Sequence, residues 1–152
     1  MKDKIYEKLF NLSENWYRKL FKRNTKSWNI SLKKLEQTKN GSLGNEYFKF
    51  LTINNFSILP KLETHDVFHV ITGTGTKVKD EISMQYYLFA NGKRSVYQAI
   101  VMLSGILYLE HFNFFIQQYK KGKKALPFHH LDFENMLEIN LNQLIVEYKI
   151  TK

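Results

Sequence analysis

The sequence contains no cysteine. That excludes a disulfide framework, a thiolate metal site and a cysteine nucleophile. Any bound metal must rest on histidine and carboxylate. Arginine is almost as scarce: Arg18, Arg23 and Arg94 stand against 20 lysines. Arginine is the side chain that clamps phosphates and reads bases in bidentate fashion, so its scarcity argues against a nucleic-acid partner. Long apolar runs are also missing. The most apolar stretch, Val96 to Leu109, is interrupted by Gln98 and Ser104 and followed at once by Glu110 and His111. A membrane span wants about 18 uninterrupted apolar residues, so this stretch reads as a buried helix. The N-terminus lacks the apolar segment of a signal peptide. No repeat, low-complexity tract or domain boundary is visible, and strand-like alternation is nowhere sustained.

What is present suits a folded chain. Hydrophobic residues make up 43% and aromatics 15% of 152 residues, enough for a real core in one domain spanning 1–152. The net charge of +9 is unevenly placed. Residues 1–40 carry 11 basic and 4 acidic residues, residues 41–94 carry 6 and 5, and residues 95–152 again carry 6 and 5. The excess is therefore an N-terminal property. Abundant Lys, Asn, Ile, Phe and Tyr all have A/T-rich codons, so an A/T-rich genome is an alternative source of much of it.

Helical periodicity runs nearly throughout and sets the class as all-α. Ile5, Leu9, Leu12, Trp16 and Leu20 recur at i+3 and i+4, opposite Lys4, Lys8, Arg18, Lys19 and Lys22. Residues 1–40 are thus a basic amphipathic helical segment, suited to an anionic membrane surface or to packing on the core. Residues 24–43 read as a loop with a helical turn near Leu32 to Leu35. A helix opens at Gly41-Ser42-Leu43-Gly44 and ends at Asn54-Asn55. Leu59-Pro60 is a break. The next helix starts near Thr64 as N-cap and stops at Gly73. Thr76 caps another, which runs to about Asn91-Gly92. Ser95 caps the longest, which runs to about Lys121, where Gly122, lysines and Pro127 end it. Asp132 and Asn140 cap two short final helices.

The most informative stretch is Thr64-His65-Asp66-Val67-Phe68-His69, then Gly73-Thr74-Gly75-Thr76, then Glu81. His65 and His69 lie four apart, on one helical face, where two imidazoles can grip one divalent metal. Glu81 is the candidate third ligand. On one straight helix it would lie about 18 Å beyond His69 and could not reach. Gly73 and Gly75 permit a reversal. With Thr74 as the apex of a helical hairpin, His69 and Glu81 come level on neighbouring helices about 8–10 Å apart. Asp66 is either a fourth ligand or a group that orients a histidine.

These residues resemble the coenzyme Q (ubiquinone) biosynthesis protein 4 family, with its HDxxH-x11-E motif. Here the motif reads His65, Asp66, His69, eleven residues, then Glu81. His69-Val70-Ile71-Thr72-Gly73-Thr74-Gly75-Thr76 is similar to the family's HVLTGxGT, and Gly41-Ser42-Leu43-Gly44-Asn45-Glu46-Tyr47 to its GSLGxxY. Tyr119-Lys120-Lys121-Gly122-Lys123-Lys124-Ala125 resembles YRRGRxA, and Asp132-Phe133-Glu134-Asn135-Met136-Leu137 resembles DWExLL. The family-like core thus covers about residues 41–150, in order.

The resemblance implies an all-helical protein of ubiquinone biosynthesis that binds a divalent metal, zinc or ferrous iron, through His65, His69 and Glu81. Asp66 would be a fourth ligand or a catalytic acid/base group. The implied substrate is a prenylated quinone precursor, and the implied step replaces the ring's C1 carboxylate by a hydroxyl, an oxidative decarboxylation. The implied partners are a membrane surface and other quinone biosynthesis proteins. In a bacterial host the expected place is cytoplasmic, peripheral to the inner face of the membrane. The alternatives are a non-catalytic scaffold, a lipid- or quinone-binding module, or a relative acting on another quinone or lipid. Ile100, Leu103, Leu107, Phe114 and Phe115, with Tyr97 and Tyr108, either form core or line a groove for the prenyl chain. Lys120, Lys121, Lys123 and Lys124 either hold an anionic head group or form a solvated helix end. An exposed apolar helix face would suggest a homodimer.

Overall fold

In a computed structural model of the chain, residues 26–152 are described. The expected amphipathic helix at Ile5 to Leu20 lies outside them. Among the described residues there are helices and no strands, only an isolated bridge between Ser42 and Asn140. The chain runs through α1 (Leu32–Glu36), α2 (Leu43–Asn54), α3 (Glu63–Thr72), α4 (Val78–Ala90) and α5 (Val96–Ser104). A 3₁₀ segment, Gly105–His111, leads into α6 (Phe112–Lys124). A short 3₁₀ turn, Phe133–Met136, precedes α7 (Leu141–Glu147).

Local chemistry sets most starts. Ser42 Oγ accepts from Asn45 N, Ser95 Oγ from Gln98 N and Asn140 Oδ1 from Gln143 N, so each side chain satisfies one orphan amide of its helix. Three expected caps are corrected. α3 begins at Glu63, a residue before Thr64, and Leu62 at its N-cap gives no side-chain bond. α4 begins at Val78, and Thr76 donates instead to Asn54 Oδ1 at 3.5 Å. Asp132 makes no cap bond either; its carboxylate accepts from the Asn135 side chain. Asn55 and Gly73 end α2 and α3 in the left-handed region, at φ 55° and 67°.

The expected long helix from Ser95 to Lys121 is also corrected. It breaks into α5, the 3₁₀ segment and α6, with Tyr108 at φ −126° and ψ 45° as the kink. Nor does Gly122 end it. Gly122 lies inside α6, where a Cβ would run into the Tyr87 carbonyl of α4. The glycine lets two helix backbones touch, and α4 packs along α6 as a result.

The main core joins Leu43, Tyr47 and Leu51 of α2, Val67, Phe68 and Ile71 of α3, Met84, Tyr87 and Leu88 of α4, and Phe128, Phe133, Leu137 and Leu144. A second cluster holds Ile82, Tyr97, Val101, Tyr108 and Phe115. Outside these, α5 and the 3₁₀ segment are not buried as expected. Ile100 is 57% exposed, Leu103 65% and Leu107 62%, with Ile106 and Leu109 equally open. α5 buries only Tyr97, Gln98 and Val101, because α4 covers one side of it and no described residue covers the other. By length and composition alone, Val96–Lys124 could cross a membrane.

Candidate metal centre

α3 presents two imidazoles on one face because His65 and His69 are one turn apart. The chain then reverses over Gly73 to Lys77, and α4 brings Glu81 back against them. The expected helical hairpin is what the structure holds. His69 Nε2 lies 2.8 Å from Glu81 Oε1, His65 Nε2 lies 3.3 Å from the same oxygen, and the two Nε2 atoms are 3.3 Å apart.

Three ligands of one tetrahedral ion at about 2.0–2.1 Å keep separations of about 3.3 Å. Two sides of the triangle have that length and the His69–Glu81 side, at 2.8 Å, is shorter; its three donors are of the types zinc and ferrous iron accept. Two ring nitrogens facing each other at 3.3 Å also need a proton or a cation between them. His65, His69 and Glu81 can thus hold one metal ion.

Neighbours fix the donors. The Thr74 carbonyl and its Oγ1 both lie 3.3 Å from His69 Nδ1. A proton on Nδ1 donated to that carbonyl leaves Nε2 with its lone pair toward the triangle. Phe50 of α2 stacks on the His69 ring at 5.5 Å between centroids. Tyr47 donates to Asp66 Oδ2 at 3.0 Å. Asp66 therefore sits beside the triangle, tied to α2, and is not among the three converging donors. Tyr47, Phe50 and Thr74 carry no motif chemistry of their own. The available signal was, for Tyr47 and Thr74, their place in the motif strings around the site and, for Phe50, its spacing of three from Tyr47 on one helix.

Burial and charge pull against each other here. Burial alone raises the Glu81 pKa, yet the two histidines outweigh it and hold the carboxyl well below the usual range. Burial alone lowers the His69 pKa, yet the Glu81 carboxylate more than offsets it and the pKa is raised. For Asp66 burial wins: its pKa is raised despite His65 and the Tyr47 hydroxyl.

Residues 58–152 match the sequence model of the coenzyme Q (ubiquinone) biosynthesis protein Coq4. The chain belongs to the Coq4 family. Its function lies in ubiquinone biosynthesis, as the motif strings implied. The match begins after the GSLGxxY-like segment, so residues 41–47 fall outside it. The fold is similar to a crystal structure of a candidate ubiquinone biosynthesis protein from Nostoc punctiforme. That likeness has a TM-score of 0.66 at 15% identity and covers 93% of this chain and 81% of the other. No curated protein matches the sequence.

Proposed function

We propose that this Coq4-family chain is a metal-dependent protein that acts on the prenylated aromatic ring of a quinone precursor, releasing the C1 carboxylate as carbon dioxide and placing a hydroxyl there, with dioxygen as the oxidant and oxygen source. The observation that carries this reading is the His65–His69–Glu81 triangle, whose separations suit one ion and whose three ligands leave a position open. A divalent ion there, zinc or ferrous iron, supplies Lewis acidity at that open position, and ferrous iron adds redox chemistry. The chain's own residues hold and orient. Thr74 fixes the His69 tautomer, and Tyr47 aims Asp66. Asp66 is the acid/base group, since burial keeps a proton on it to higher pH than an exposed aspartate.

The exposed face of α5 and the 3₁₀ segment supports a membrane-peripheral place. No acidic residue occurs between Glu81 and Glu110, while Lys93 and Arg94 precede the face. Apolar side chains with basic neighbours fit an anionic lipid surface. That surface is where a prenylated ring resides and where other quinone biosynthesis proteins would be met.

Two measurements test the reading. Purified protein should carry about one equivalent of metal, lost in His65→Ala and Glu81→Ala; equal trace metal in all three would remove the ligand assignment. The gene should rescue a strain deficient in the ring decarboxylation, and His69→Ala should not. Rescue by His69→Ala would establish a scaffold in place of an enzyme.

A further inference from the structure

The far end of α4, about 15 Å of helix beyond Glu81, holds charge that the metal reading leaves unused. Asn91 clamps two loops together there and is 3% exposed. Its Nδ2 donates to the carbonyls of Leu126 at 3.0 Å and Gly122 at 3.4 Å, and its Oδ1 accepts from Phe128 N at 3.0 Å. His129 Nδ1 donates to the Asn91 carbonyl at 3.0 Å. The next residue, Gly92, has φ 108°, and a Cβ there would come within 2.9 Å of the His129 ring. The imidazole is thus seated on the α4–α5 loop, which continues into Lys93 and Arg94. The His130 ring meets His129 edge-on, at 5.4 Å between centroids.

Positive groups therefore gather around His129. Arg94 is the only arginine in residues 26–152. Its Nη1 donates to the Phe89 and Lys93 carbonyls, both at 2.6 Å, and its guanidinium lies 3.9 Å from the Phe89 ring centroid. These contacts fix the guanidinium and, among the described residues, leave its other N–H groups unmet. Lys93 Nζ is held over the Phe68 ring at 4.9 Å. α6 ends on the same Asn91 clamp, with Lys123 and Lys124. Neither loop, 91–95 or 122–131, carries an acidic residue. Among the described residues no carboxylate pairs with Arg94, His129 or His130. The repulsion is felt at His129. Burial lowers its pKa, the Asn91 carbonyl raises it, and the charges of His130, Lys93 and Arg94 lower it again, so the net direction is down.

An anion turns that repulsion into attraction. The donors suit phosphate in particular. A planar guanidinium offers N–H groups in the geometry of phosphate oxygens. With the Nδ1 proton given to Asn91, His129 Nε2 is the atom that takes up a second proton and becomes a further donor. We propose that Arg94, His129 and His130, beside Lys93, form a phosphate-binding site on the α4–α5 loop, filled as His129 takes up a proton. Proton and phosphate then favour each other by the same factor. The phosphate is a free one or a lipid head group. Val96, two residues beyond Arg94, opens the exposed apolar face and is 57% exposed, so a lipid can set its head at the loop and its chain along α5. The lipid arm rests on the membrane-peripheral reading above; the free-phosphate arm does not.

The test titrates the His129 ring protons of the full chain by NMR from pH 5 to pH 8. Dimethyl phosphate, whose charge is constant over that range, is the free probe. Sodium chloride at equal ionic strength is the control. Vesicles of phosphatidylcholine with phosphatidylglycerol are the lipid probe, followed by sedimentation. Dimethyl phosphate should raise the His129 midpoint by about 1 pH unit, which means about tenfold tighter binding to the protonated form. Arg94→Gln should remove most of that response, and His130→Gln, at an exposed position, serves if Arg94→Gln fails to fold. Vesicle binding should strengthen as pH falls and lose that dependence in His129→Gln. A response to dimethyl phosphate with vesicle binding independent of pH assigns the site to free phosphate and overturns the lipid arm. The reverse pattern assigns it to the lipid. No response to either probe, an equal response to chloride, or a full response in the folded variants overturns the proposal. Vesicles left unbound at every pH, with the dimethyl phosphate response intact, would sink the membrane reading and leave the site standing.

Discussion

Glu81 is the residue on which both imidazoles converge, and its pairing gives the metal-free and metal-bound proteins opposite responses to pH. In the metal-free protein, the raised His69 pKa contributes stability that is full below the unfolded value of 6.5 and is lost as pH rises through the folded value. The depressed Glu81 pKa contributes stability present above the unfolded value of 4.5 and lost as pH falls through the folded one. Metal binding needs both histidines neutral, so its contribution grows as pH rises. The gap in thermal midpoint between zinc-loaded and chelator-treated protein should therefore widen from about pH 6 to pH 8; a constant gap would contradict the donor set. Phe50→Ala should leave the three ligands and lower metal affinity by roughly 10–100-fold, as loss of a supporting neighbour does, measured by competition with a chromogenic chelator. His65, His69 and Glu81 were legible because ligand chemistry restricts residue type and helical spacing restricts position. Tyr47, Phe50 and Thr74 were not, because support can come from any side chain or carbonyl that the fold brings near.

Helix boundaries followed local chemistry where the cap was local. Ser95→Ala should cost about 1 kcal/mol, read from denaturant midpoints, since one orphan amide loses its acceptor. Thr64 and Thr76 misled because a hydroxyl near a helix start is no cap once tertiary contacts shift the start or, for Thr76, offer another partner. Gly122 misled in a different way. Glycine followed by lysines has the composition of a helix end, but its role is a backbone contact across α4 and α6, which no one-dimensional pattern records. Gly122→Ala should push these helices apart and destabilise the fold by about 1–3 kcal/mol or more; an unchanged thermal midpoint would show that the contact yields freely. The break at Tyr108 was invisible for a similar reason. Apolar spacing continues through it, and the turn arises as the chain folds Tyr108 onto Ile82 and Phe115.

Across the whole molecule, the all-α class was readable from periodicity, whereas exposure was not, because a sequence shows how apolar a face is and never what covers it. Ile100, Leu103 and Leu107 look like core and stand open. Leu103→Glu with Leu107→Glu should therefore fold normally and bind vesicles containing anionic lipid at least tenfold more weakly in a sedimentation assay. Undiminished sedimentation would place the lipid contact elsewhere, and loss of a concentration-dependent dimer instead would assign the face to a second copy of the chain. The hairpin of α3 and α4 carries a last consequence, in the order of folding. All three donors lie within 17 consecutive residues, His65 to Glu81. Closing so short a loop carries little entropy, and local contacts form early. An ion captured by a nascent hairpin would lock the turn at Gly73 before the distant segments around Phe128 and Leu144 arrive to complete the core. The metal would then act as a folding template as well as a reagent, and starving growing cells of it would lower the yield of soluble protein, beyond any loss of its activity.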